Sequence, residues 1–161
     1  MTPAEIELDV LECQLRNTGV AFGTGAGSDT ELAEQLTGAI HDVVNVAGLN
    51  AEQVGVVVLG HVAAPAPDIR DVAQDLQHAT GLDTVLVRTP DVAVGVSEEF
   101  TRAQVEVGER AMASQPDYAS GVSAFFHARD FEPAWLTLGM LAVAVLVICV
   151  AATLAAAART K

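Results

Sequence analysis

Positive charge is scarce in this chain. Eight Lys and Arg stand against 21 Asp and Glu over 161 residues, a net −13, and no Lys or Arg falls between Arg16 and Arg70. A surface of that sign repels a phosphate backbone, which excludes nucleic acid as a partner. Cysteine is almost missing too. Cys13 and Cys149 are the two in the chain, the first in an expected soluble helix and the second in a long apolar run, so no internal bridge and no disulfide framework is expected. The start, Met1 to Val10, has neither a basic region nor a long apolar stretch, so no signal peptide is visible. Internal repeats and low-complexity linkers are not apparent either.

A phosphate-binding motif is the next absence. The stretch Val20-Ala-Phe-Gly-Thr-Gly-Ala-Gly-Ser-Asp-Thr-Glu-Leu-Ala-Glu34 places three glycines between an apolar run and an amphipathic helix, as a nucleotide loop does. It lacks the Lys-Ser/Thr of a P-loop, and its Gly-x-Gly-x-Gly spacing is not that of a dinucleotide fold. Ser28 to Glu31 has the form of a capping box, so a serine and two acids compete for the backbone amides that a phosphate would need. The expectation is a flexible glycine loop that binds no nucleotide.

What the chain does contain is sharply segregated. All 21 acidic residues precede Trp135 with six of the eight basic ones, so residues 1–134 carry −15 and the last 27 carry +2. Trp135 to Ala158 is a run of twenty-four residues without a charge. As a helix, at about 1.5 Å per residue, it spans roughly 36 Å, enough for a hydrocarbon core of about 30 Å. Trp135 at one end, with Arg159 and Lys161 at the other, suits a membrane anchor held at both interfaces. The Ala151/Ala155 and Ala152/Ala156 pairs have the spacing of close helix contacts, but an alanine-rich segment produces such pairs by chance. The missing signal peptide favours a cytosolic domain on a C-terminal anchor, whereas Arg159 and Lys161 favour an inside C-terminus. The reading leans to the cytosolic side.

In the acidic part, Leu8, Leu11 and Leu15 share one side of a first helix that ends at Asn17 to Gly19, and Val20 to Phe22 is a short strand. Leu32, Leu36, Ala39, Ile40, Val43 and Ala47 define a second helix stopped by Gly48. Gly55-Val-Val-Val-Leu-Gly60 has the pattern of a strand covered on both faces. Pro65 and Pro67 suggest an extended loop, Asp68 a cap, and Ile69, Val72, Leu76 and Ala79 a helix stopped by Gly81. Asp83 to Arg88 is a third strand. Ser97 is expected to start a helix with Phe100, Ala103, Val107 and Ala111 inside, and a shorter helix carries Tyr118, Val122 and Phe125. Strands alternating with helices predict an α/β fold, a small three-layer sandwich with a short, mostly parallel sheet followed by one C-terminal transmembrane helix. The expected divisions are an acidic soluble domain over 1–132, the membrane helix over 133–158 and a basic tail over 159–161.

In a parallel sheet the carboxyl ends of the strands share one edge, where α/β proteins place their sites. That edge would collect the Gly23 to Gly27 loop, His61, Asp68, Arg88 and Asp91. His61, Asp68 and Asp91 are the candidate metal ligands, and Arg88 is a candidate for holding an acidic group. Each also has a plain structural role, Asp68 as a cap and Asp91 after Pro90 as a turn former. His41 and His78 are expected on the surface.

The segment Asp83-Thr-Val-Leu-Val-Arg-Thr-Pro-Asp-Val-Ala-Val-Gly-Val-Ser-Glu-Glu-Phe-Thr-Arg-Ala-Gln-Val-Glu-Val-Gly-Glu-Arg110, followed by a short helix and an anchor, resembles an uncharacterised family of small single-pass membrane proteins of mycobacteria and corynebacteria. Thr89-Pro90, Gly95, Ser97, Arg102 and Glu106 carry the likeness most specifically. The resemblance implies a soluble part similar to the α/β domain called TPM, and an envelope role near cell-wall hydrolases. Two functions follow as expectations. One is a non-catalytic interaction or regulatory module at the lipid bilayer with an envelope protein partner and no cofactor. The other, implied by the TPM likeness, is a phosphatase dependent on calcium or magnesium.

Overall fold

The computed structural model describes residues 6–128 apart from 24, 28, 48, 62 and 63, together with 143 and 145, without the side chains of 44–47. The chain divides into two compact units, Met1–Asp130 and Phe131–Lys161.

The first unit runs α1 (Leu8–Thr18), β1 (Val20–Phe22), α2 (Thr30–Ala47), a 3-10 turn (Ala51–Gln53), β2 (Val54–Val58), α3 (Ala66–Thr80), β3 (Thr84–Arg88), β4 (Ala93–Ser97), α4 (Arg102–Ala113) and α5 (Tyr118–Ala128). The strands form one sheet in the order β1-β2-β3-β4. β1, β2 and β3 are parallel, and β4 is antiparallel to β3. The sheet is thus mixed rather than mostly parallel. Residues 93–97, which the sequence pattern assigned to no strand, are its fourth strand. The cause is the connection. Thr89 to Val92 closes a turn in which Thr89 N–H donates to Val92 O at 2.8 Å and Thr89 Oγ1 accepts from Val92 N–H at 2.8 Å. So short a link returns the chain only as an antiparallel neighbour.

Period-two alternation divides the sheet residues cleanly. The register aligns Val20, Val56, Leu86 and Gly95 in one row and Ala21, Val57, Val87 and Val94 in the next. The first row belongs to a core with Leu36, Ile40, Met112, Val122, Phe125 and Phe126, and the second to a core with Leu11, Leu15, Ile69, Val72 and Leu76. Hence α2, α4 and α5 cover one face, and α1 and α3 the other. Gly95 and Gly108 flank the ring of Phe125 so closely that a Cβ at either would lie 2.9 or 2.6 Å from its atoms. Phe100, Phe125 and Phe126 meet edge to face with centroids 5.3–6.2 Å apart.

Several local expectations shift for identifiable reasons. Pro65 is the N-cap of α3 and Pro67 lies within its first turn, where a fixed φ and a missing N–H cost nothing. Asp68 is therefore inside the helix and caps nothing. Ser97 ends β4 and does not start α4. Its Oγ sits 2.7 Å from Thr84 Oγ1 and accepts from Glu99 N–H at 3.2 Å, while the capping box of α4 is Thr101 with Gln104. In that helix Val105, Gly108 and Met112 face the core in place of Ala103, Val107 and Ala111. Gly19 and Gly81 close α1 and α3 in the left-handed region, at φ 71° and 75°. Gly48 and Ser28 lie outside the described residues.

β1 to β2 and β2 to β3 step the same way across the sheet, yet α2 and α3 lie on opposite faces. The two crossovers therefore have opposite hands, and one departs from the right-handed rule.

Candidate functional site

Connections that leave neighbouring parallel strands for opposite faces open a crevice at the strand carboxyl ends, the usual ligand position in α/β proteins. Here that crevice lies between β1 and β2, and the glycine loop closes it. Gly23 N–H donates to Val58 O at 2.9 Å and Ala26 N–H to Gly23 O at 3.1 Å. Gly25, at φ 79°, lies directly on Gly60, where a Cβ would come within 2.5–2.8 Å of the Gly25 backbone. Of the three glycines, Gly25 thus serves close backbone packing, while a Cβ at Gly23 would meet the Leu59 side chain and one at Gly27 would meet nothing within 4 Å. Asp29 takes the helix start, its Oδ1 accepting from Glu31 N–H at 3.0 Å.

Of the candidate ligands, the fold brings two together. His61 Nδ1 lies 3.2 Å from Asp91 Oδ2, both side chains about three-quarters exposed, at 78% and 74%. Asp68 belongs to the first turn of α3 and does not join them in a cluster. Among the described residues no group of three His, Cys, Asp or Glu side chains stands close enough to hold a metal ion. His41, His78 and Cys13 are exposed.

Arg88 is at the strand end but turned inward. It is 8% exposed, its Nη1 donates to Met112 O and its Nη2 to Gln115 O at 2.6 Å. The guanidinium also lies 5.4 Å from the centroid of the Tyr118 ring. Burial pulls its pKa down, while Tyr118 and Asp117 pull it up. The guanidinium stays charged at neutral pH. Both terminal nitrogens thus bond backbone carbonyls in place of an acidic ligand. Arg88 ties β3 to the α4–α5 turn. Asp117, just before α5, accepts from Ser120 N–H at 2.9 Å and Ala119 N–H at 3.1 Å. Hydrogen bonds from the Ser120 side chain and backbone hold its carboxyl below the usual carboxylate range, with Ala119 N–H and Arg88 adding to them.

Both edges of the sheet are closed by side chains. At β1, Gln14 pairs with Phe22 through both its amide atoms, Oε1 accepting from Phe22 N–H at 2.9 Å and Nε2 donating to Phe22 O at 3.3 Å. Thr18 Oγ1 donates to Val20 O at 2.8 Å. At β4, Glu109 Oε1 accepts from Gly95 N–H at 2.9 Å, and both Glu109 oxygens accept from Arg70 Nη2, at 2.8 and 3.0 Å. Arg70 from one face and Glu109 from the other thus meet around the edge strand. Sequence reading missed these residues, because polar positions on amphipathic helices carry no mark of which strand they reach. Asp117 was legible, since an Asp three residues before Ser120 after Pro116 has the form of a helix start.

Next to the β1 edge, between α1 and α2, runs a groove of about 590 Å³ with Val20, Phe22 and Ala33 among its apolar lining and Asp29 and Glu34 among its acids.

Trp135, Arg159 and Lys161 lie outside the described residues, as does the apolar run 135–158 apart from Val143 and Val145, which are helical and exposed. Among the described residues no helix is long and apolar enough to cross a membrane.

Fold and edges together define a small acidic α/β domain, a mixed four-stranded sheet between two layers of helices. The chain belongs to the family described as membrane protein Rv1476, whose family model matches residues 1–161. No curated protein matches it. Among solved structures it is similar to the N-terminal domain of the cg2496 protein from Corynebacterium glutamicum, solved by NMR in solution. That likeness has 19% identity and a TM-score of 0.51 over 70% of this chain and 78% of the other. At that identity it bears on the fold alone.

Proposed function

We propose that this chain is a membrane-anchored, non-catalytic interaction module of the actinobacterial cell envelope, an acidic domain over 1–132 held at the bilayer by an anchor over 133–158 and recruiting or regulating an envelope protein. The observation that carries the reading is the division of the chain into an acidic folded unit and a second unit containing an uncharged run of twenty-four residues. The family is one of membrane proteins, and Val143 and Val145 are helical with apolar side chains 63% and 53% exposed, as lipid contact requires. Within the acidic unit, the strand-end crevice is closed by Gly25 on Gly60, and Arg88 is engaged by backbone carbonyls.

Photocrosslinking in native cells tests this reading. It expects a stoichiometric envelope protein on the folded unit, and repeated recovery of none sinks it. A melt of the chain in micromolar calcium or magnesium is expected to match one in chelator. A clear rise in Tm would favour the metal-dependent phosphatase instead. Reporter fusions at Met1 fix the side of the membrane, expected to be cytosolic.

A further inference from the structure

We propose that the groove along β1 docks a basic segment of a protein partner, with one apolar side chain of that segment seated on Val20, Phe22 and Ala33. The inference rests on the reading as an interaction module and gives that module its contact surface.

The fold leaves the groove open. α1 and α2 lie on opposite faces of the sheet, β1 between them is an edge strand of three residues, and among the described residues no further strand lies beyond it. A cavity of about 590 Å³ is within the size of sites that bury a compact ligand, and its lining is part apolar and part polar. Phe22 and Ala33 are partly exposed there. On α1, Val10 is 47% exposed one turn before Gln14, so an apolar side chain extends the same helix face.

Mode and charge of the occupant follow. Gln14 already holds both outward backbone groups of Phe22, and Thr18 the carbonyl of Val20. An added β-strand would have to break those bonds, so recognition falls to side chains. Asp29 and Glu34 line the groove, and among the described residues neither has a Lys or Arg partner. No Lys or Arg occurs in the sequence from 17 to 69 to offset them. The complement is a segment with Lys or Arg flanking an apolar anchor. A second copy of this chain, itself at −13, would bring like charge to the groove.

The test titrates full-length protein in detergent micelles against a fluorescein-labelled peptide of one Leu between Arg pairs, followed by anisotropy. Companion peptides carry Glu for Arg, or Ala for Leu. The Arg/Leu peptide is expected to bind, and each companion to bind more weakly. Asp29→Asn with Glu34→Gln is expected to weaken it about fivefold, from two partly screened charge contacts, and Ala33→Trp to block it by filling the floor. Glu98→Gln with Glu99→Gln, equal in charge but on the exposed segment after β4, is expected to leave affinity unchanged. Lack of binding, equal weakening by the two charge pairs, or no effect of Ala33→Trp overturns the groove. In cells, a crosslinked partner retained in full by the Asp29/Glu34 variant also overturns it while leaving the module reading intact. A homodimer abolished by that variant would put a second copy in the groove and overturn it as well.

Discussion

Arg88 shows how a residue that reads as a ligand-binding group becomes a structural one. A charge buried in a small domain is tolerated only when its donors are occupied, and here the orphan carbonyls at the end of α4 and in the turn after it do so. Arg88→Met should leave Met112 O and Gln115 O without these donors and cost about 2–4 kcal/mol, read as a lowered midpoint in chemical denaturation. Arg88→Lys should recover part of it, because one ammonium cannot span two carbonyls as a guanidinium does. Asp117 makes the pH-dependent contribution. Its folded pKa is depressed, first by Ser120, so the stability it adds is present above the unfolded value of about 3.9 and is lost as pH falls through the lower folded value. Asp117→Ala should cost about 1 kcal/mol at pH 7. The gap to the parent protein should narrow under acid, which urea melts at neutral pH and near pH 3 would show. Gly60 is the third such residue. A Cβ there would meet backbone atoms of Gly25 that cannot rotate away, so Gly60→Ala should destabilise by about 1–3 kcal/mol. The 23–27 loop should then exchange its amide hydrogens faster.

At the scale of elements, the edges of the sheet carry the main lesson. An unpaired edge is a template for association, and this protein closes one edge with Gln14 and Thr18 and the other with Glu109 and Arg70. Glu109→Leu removes the acceptor of Gly95 N–H and the partner of Arg70 together. It should cost about 2 kcal/mol and promote concentration-dependent association by light scattering, while Glu109→Gln keeps an acceptor and should do less. Most helices were legible in advance, since Leu11 and Leu15, Leu36 and Ile40, and Ile69, Val72 and Leu76 are the buried stripes their spacing announces. β4 was not. Gly95 interrupts its apolar pattern, and the residue is a glycine because Phe125, thirty residues on, packs against it. The start of α4 was misplaced for a related reason, since Ser97 caps a turn at a strand end with the same hydroxyl chemistry that caps a helix.

For the whole molecule, charge and hydropathy divide along the sequence. With the run after Trp135 in place, the chain should stay with membranes under carbonate extraction, and a chain ending at Asp130 should remain folded and leave with the soluble fraction, checked by fractionation and circular dichroism. The sequence by itself determined this separation, the α/β class, the acidic surface and the absence of a P-loop, because hydropathy, period and net charge are sums over neighbouring residues. The tertiary structure alone decided the antiparallel β4, the opposite hands of the two crossovers, the glycine closure of the crevice, the inward turn of Arg88 and the groove beside β1. Each of these depends on which distant backbone groups and surfaces come into contact, and only the folded chain brings them together.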